Sequence, residues 1–202
     1  MKLYLVRHGE TAHNRDGVGL GRSDVPLTGR GRQQGASLRS RFEGITFDAA
    51  YASPLVRAMD TALAALEGSG VTPEPSHALI ELDVGETEGM TFPDMRERHA
   101  DFLREWAGPD GHLVRFPGGE RLQDVDDRVG AFLAELRSAS PGNVLVVSHN
   151  FVLRLLLCRL LGLPPSGFRN IIVGLASLSI VEVDDDRATV SVINDTCHLS
   201  AE

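Results

Sequence analysis

The chain has 202 residues, of which 42% are hydrophobic and 24% charged, with a formal net charge of −8. This is an ordinary composition for a globular protein able to bury a core, and the acidic balance argues against nucleic acid as the main partner. Small anionic ligands stay open, because a local cationic pocket can sit inside an acidic shell.

The first apolar run, Leu3-Tyr4-Leu5-Val6, predicts a buried strand over residues 2–7 that runs out into Arg7-His8-Gly9. Residues 12–28 are polar and Gly-rich and read as a loop. Thr28 is placed to cap a helix from Gly29 to Phe42, with Gln33, Gln34 and several arginines on its solvated side. A second short strand spans Phe47 to Ala52. Ser53 as N-cap and Pro54 at the first helical position then start a helix that Gly68-Ser69-Gly70 stops. Residues 71–90 are irregular, and a helix is expected from Phe92 to Trp106. After loops at 108–111 and 117–119 comes a long amphipathic helix from Arg121 to Ser138. Its apolar face is Leu122, Val125, Val129, Phe132, Leu133 and Leu136. Val144-Leu145-Val146-Val147 predicts a central strand covered on both faces. It ends in Ser148-His149-Asn150 and enters a helix from Phe151 to Leu161. Two strands, 175–183 and 188–193, follow around the acidic turn Asp184-Asp185-Asp186.

Five strands alternating with helices predict a three-layer α/β/α sandwich with a mainly parallel sheet, in one domain over residues 1–202. Two cysteines make no disulfide framework, and Cys158, inside Leu155-Leu156-Leu157-Cys158, reads as a buried small hydrophobe. The start is too soon polar for a signal peptide, and no apolar run reaches the length of a membrane span. A cytoplasmic protein with no membrane partner is the expectation, and a homodimer is allowed.

The chemistry concentrates at strand ends, where ligands bind in open α/β sheets. Arg7-His8 alone is an ordinary polar turn, but a second strand ends in Ser148-His149, and a third leads into a helix carrying Arg57 one turn in. Helix N-termini favour anions. Arginine grips phosphate through a planar, permanently charged fork. A neutral imidazole can attack phosphorus and carry a phosphoryl group, provided a neighbouring carbonyl fixes its tautomer. A leaving alkoxide needs a proton, and Glu81, Asp83, Glu86 and Glu88 are four candidate acids. A zinc or iron site on His8, His149 and a carboxylate is disfavoured by the adjacent arginines and by the lack of a helical metal motif.

The segment Leu5-Val6-Arg7-His8-Gly9-Glu10-Thr11-Ala12-His13-Asn14 resembles the signature of the histidine phosphatase superfamily, the phosphoglycerate mutase-like fold. The likeness continues in order through 21–28, 52–58 with Thr61, 81–89, 116–120, and 147–149 with Arg154. It implies that His8 is the nucleophile, that Arg7, Arg57 and His149 bind the phosphoryl oxygens with Asn14 assisting, and that Glu81 is the proton donor. Gly21 would present its backbone to the phosphate. Three positions depart from the pattern: Leu20 stands where many relatives have Gln or Thr, Asn150 where Gly is usual, and Leu175 where Asn is common. Asn150 would place its side chain toward the substrate. The tail from Asn194 to Leu199 resembles that of metal-independent phosphoserine phosphatases; His198 is expected to be a surface tail residue, and a tail folded over the pocket mouth would let His198 or Arg22 read a substrate carboxylate.

The implied activity is a metal-independent, cofactor-free phosphomonoesterase acting on a small phosphorylated metabolite. The alternatives are a phosphoglycerate mutase and a non-catalytic module that binds a phospho-ligand. The compact 71–120 stretch favours hydrolysis over mutase chemistry.

Overall fold

In the computed structural model, which describes residues 1–184 and 187–199, six strands form one sheet. They are β1 (Lys2–Arg7), β2 (Ala49–Ala52), β3 (Glu74–Pro75), β4 (Asn143–Ser148), β5 (Leu178–Asp184) and β6 (Arg187–Asp195), in the spatial order β3-β2-β4-β1-β5-β6. The pairs β3–β2, β2–β4 and β4–β1 are parallel, whereas β5 runs antiparallel to β1 and β6 antiparallel to β5. The expected sandwich is therefore present, with six strands in place of five. The additional one, β3, has only two residues, too short to leave a periodic signature.

Side chains alternate across a strand, and the core divides accordingly. Leu3 and Leu5 of β1 and Val144 and Val146 of β4 face one apolar cluster with α6 (Leu122–Ala139) and α7 (Asn150–Leu160). Tyr4 and Val6, with Leu145 and Val147, face the other cluster with α2 (Gly29–Arg41) and α3 (Val56–Ala65). All six residues foreseen on the apolar face of α6 are buried, as is Cys158.

Several local expectations need correction. The 12–28 loop holds a one-turn helix, α1 (Ala12–Arg15), closed by a capping box between Thr11 and Asn14. Gln34 does not face solvent: it is buried, and its Oε1 accepts the Glu10 amide at 2.8 Å. The helix foreseen over Phe92–Trp106 is two, α4 (Phe92–Arg98) and α5 (Ala100–Ala107), broken at His99. The Ser53-Pro54 start also fails, because α3 begins at Val56 with Leu55 as an uncapped N-cap. Of the acidic turn, Asp185 and Asp186 lie outside the described residues. Thr28 does cap α2, accepting the Gly31 amide at 3.0 Å. The start of α2 packs so closely on the loop after β1 that a Cβ on Gly9 would meet the Gly31 carbonyl, and one on Gly31 the Glu10 carbonyl.

Candidate active site

Parallel pairing sets Arg7 opposite Ser148, so the next residues, His8 and His149, leave the sheet side by side. Their ring centroids lie 5.1 Å apart with the planes tilted by 59°. Both rings are buried. His8 Nδ1 lies 2.7 Å from the Gly9 carbonyl. A carbonyl can only accept, so Nδ1 carries the proton and Nε2 keeps its lone pair. Burial first, then the charges of Arg7 and Arg57, hold the His8 pKa well below the usual imidazole value. The His149 pKa is lowered in the same way, by burial and then by His8, Arg57 and Arg7.

Arg57 lies in the first turn of α3 and is fully buried. Its guanidinium donates to the Ser23 carbonyl at 2.8 Å and the Gly21 carbonyl at 2.7 Å. Arg7 donates to the Val173 carbonyl at 2.8 Å. Burial above all, helped by Arg154 and Arg57 and opposed by Glu81, brings the Arg7 pKa down to about 10. Arg154, on α7, is a further partly buried cation in reach of Glu81. Among the described residues, Arg7 Nε, Arg57 Nε, Arg154 Nε and His149 Nδ1 are buried without a hydrogen-bond partner. Buried cationic donors grouped in this way suit an anion. Thr61 ties the parts together, accepting the Gly9 amide at 3.0 Å and donating to the Arg57 carbonyl at 2.7 Å.

Of the four candidate acids, only Glu81 is buried. Burial raises its pKa, against the Leu82 amide and the charges of Arg57, Arg7 and Arg128. Asp83 pairs with Arg22 at 3.7 Å, Glu88 accepts the Gly21 and Ser23 amides at 2.8 Å each, and Glu86 is exposed. The Glu81 backbone is clamped: Arg22 and Arg128 each donate to its carbonyl at 3.3 Å. Glu120 holds both arginines, at 2.8 Å from Arg22 and 3.7 Å from Arg128, and accepts the Asp83 amide at 3.0 Å.

The expected binding residues divide. Asn14 sits in the α1 capping box, its Oδ1 receiving the Thr11 amide and hydroxyl at 3.1 and 2.9 Å. Asn150 opens α7, its Oδ1 buried without a partner among the described residues. Gly21 does not turn its amide toward a phosphate site; that amide donates to Glu88 and its carbonyl holds Arg57. A side chain there would strike Val84. Arg22 is engaged by Glu120 and Asp83 rather than free for a substrate. Leu20 lines an apolar cavity. His198 lies 2.9 Å from the carbonyl of Ala176, whose amide donates to the His8 carbonyl at 3.1 Å, so the tail docks behind the His8 loop.

Reading the sequence for caps missed Ser53 as a site residue. It is fully buried, and its hydroxyl lies 2.7 Å from His149 Nε2. The role of Glu120 in holding Arg22 and Arg128 was missed as well, since ion pairs between distant segments leave no local signal. Among the described residues no three His, Cys, Asp or Glu side chains converge as a metal site would require.

Comparison with known proteins gives a consistent picture. Residues 3–196 match the model of the "Histidine phosphatase superfamily (branch 1)". Phosphoserine phosphatase 1 of Hydrogenobacter thermophilus is 35% identical over 200 residues, covering 98% of this chain and 94% of that protein. Adenosylcobalamin/α-ribazole phosphatase of Escherichia coli K12 is 33% identical over 195 residues, covering 96% of each. The crystal structure of the α-ribazole phosphatase from Shigella flexneri superposes with a TM-score of 0.89 at 32% identity, again over 96% of each chain.

Proposed function

The chain belongs to the histidine phosphatase superfamily, and we propose that it hydrolyses the phosphate monoester of a small metabolite through a phosphohistidine on His8, without a metal or cofactor. The observation that carries this reading is the His8 tautomer. With Nδ1–H donating to Gly9 O at 2.7 Å, Nε2 is a neutral nucleophile facing a cluster of guanidiniums.

The arriving phosphate supplies the negative charge that Arg7, Arg57 and His149 lack, with Asn14 as a further donor. His8 Nε2 attacks phosphorus in line, and the ester P–O bond breaks as the N–P bond forms. Charge on the equatorial oxygens is met by the two guanidiniums. Glu81, whose pKa burial raises, gives its proton to the departing alkoxide. As a carboxylate it then takes a proton from the water that attacks the phosphohistidine. The N–P bond breaks, inorganic phosphate leaves, and both groups are restored.

No helix of the described residues is long and apolar enough to cross a membrane. The two unpaired cysteines favour a cytoplasmic setting. The experiment that tests the activity measures inorganic phosphate from a panel of phosphate esters with and without EDTA, and follows 3-phosphoglycerate for isomerisation. The expected result is phosphate release that EDTA leaves unchanged. Isomerisation without release supports the mutase, and loss of activity on chelation refutes the metal-free route.

A further inference from the structure

An apolar cavity of about 240 Å³ is lined in part by close chain neighbours of the catalytic residues. Three of its walls are continuous with catalytic elements. Leu20 adjoins Gly21, whose carbonyl holds Arg57. Val84 follows Glu81 by three residues and lies in reach of Gly21. Phe151 stands two residues beyond His149 on α7. The remaining wall comes from α4 and α5, with Trp106 inside and Phe92, 62% exposed, at the rim. Among the described residues no charged side chain lines the cavity, the Thr87 hydroxyl is already spent on the Val84 carbonyl at 2.8 Å, and the Trp106 indole N–H is a neutral donor without a partner.

We propose that this cavity receives the organic part of the substrate, so that the favoured esters carry an uncharged apolar or aromatic group. The proposal rests on the phosphomonoesterase reading and narrows its substrate class. A cavity of about 150 Å³ with aliphatic and aromatic walls takes up benzene, so this one has room for a larger ring system or a medium alkyl chain. An ammonium or carboxylate placed there would lose its hydration with no counter-charge in return. Leu20, next to Gly21, offers only carbon to this wall. A carboxylate-bearing ester would have to turn its carboxylate away from the cavity.

Two measurements test this. The first needs no turnover and uses the chain's one tryptophan, Trp106, as reporter. Octylphosphonate should shift Trp106 emission to the blue and bind about 10-fold or more tightly than methylphosphonate, by burial of alkyl surface. Equal affinities overturn the subsite. The second compares 2-phenylethyl phosphate with O-phosphoserine and 3-phosphoglycerate, all alkyl esters, so that leaving-group reactivity does not decide the order. The phenylethyl ester should have a kcat/KM about 10-fold or more above the others. Leu20→Gln and the cavity-filling Leu103→Trp should each lower that ratio. Preference for either carboxylate-bearing ester overturns the subsite and leaves the phosphatase reading standing. Octylphosphonate binding without phosphate release from any ester overturns the phosphatase reading, and the substrate assignment with it.

Discussion

His149 Nε2 sits 2.7 Å from the hydroxyl of Ser53, a residue 96 positions earlier in the chain. Ser53 follows β2 and His149 follows β4, so parallel pairing of those strands brings the two together. With the hydroxyl donating to Nε2, the ring proton is left on Nδ1, where it serves as a donor. Ser53→Ala removes the partner that orients this imidazole. A buried hydrogen bond of this kind contributes about 1 kcal/mol. We expect kcat/KM to fall on the order of 10-fold, with a retained fold by circular dichroism. A variant as active as the parent would show that His149 is oriented without Ser53.

His8→Ala should abolish the phosphoenzyme. Rapid acid-sparing quench with a ³²P-labelled ester should label the parent protein at a bond that is acid-labile and base-stable, and leave the variant unlabelled. Persistence of that label in the variant would assign the nucleophile to another group.

Glu81→Gln should separate substrates by leaving group. An alkyl alkoxide needs its proton in the transition state, and losing the acid should slow such esters by about 100-fold or more. A p-nitrophenolate leaves with little help, so p-nitrophenyl phosphate should be slowed far less in its phosphorylation step. Single-turnover rates of the two esters give the comparison, and equal slowing would move the acid elsewhere. Because the raised pKa belongs to the protonated donor, alkyl ester cleavage should decline as pH rises through it.

Glu120→Gln tests the clamp behind Glu81. Glu120 holds Arg22 and Arg128, and both arginines donate to the Glu81 carbonyl. Weakening it should lower kcat for alkyl esters several-fold with little change in KM, since the acid is displaced but the phosphate site is untouched. The same variant should treat p-nitrophenyl phosphate nearly as the parent does. A uniform loss on both substrates would mark Glu120 as a general stability residue.

The large features of this fold were readable because they follow from residues close in sequence. The alternation of Leu3 and Leu5 with Tyr4 and Val6 places β1 between two helical layers, and the Thr28 cap starts α2. What was unreadable depends on pairing at a distance. Ser53-Pro54 has the local form of a helix start, but the hydroxyl is claimed by His149, and the helix begins at Val56. Gln34 looks solvated on a polar helix until the Glu10 amide is found against it. The pairing of Arg22 with Glu120, 98 residues away, has no local sign either. Among four acids in one irregular stretch, burial singles out Glu81, and burial is set by the packing of other elements around it.

The two buried histidines should also make the protein acid-sensitive. In the unfolded chain each imidazole takes up a proton as pH falls through about 6.5. In the folded state burial and the neighbouring arginines hold both pKa values well below that. The unfolded state therefore binds more protons in this window, and stability falls with acid from the ordinary imidazole value down to the depressed folded values. The slope is about 1.4 kcal/mol per pH unit for each proton taken up on unfolding. Glu81 has the opposite sign. Its raised folded pKa favours the folded state below the ordinary carboxyl value, and that contribution is lost as pH rises through the raised one. Urea unfolding at pH 7.5 and 5.5 should show a marked loss of stability for the parent at the lower pH. His149→Gln, which retains a polar partner for Ser53 but cannot titrate, should lose less. The same loss in both proteins would show that His149 contributes none of the acid sensitivity.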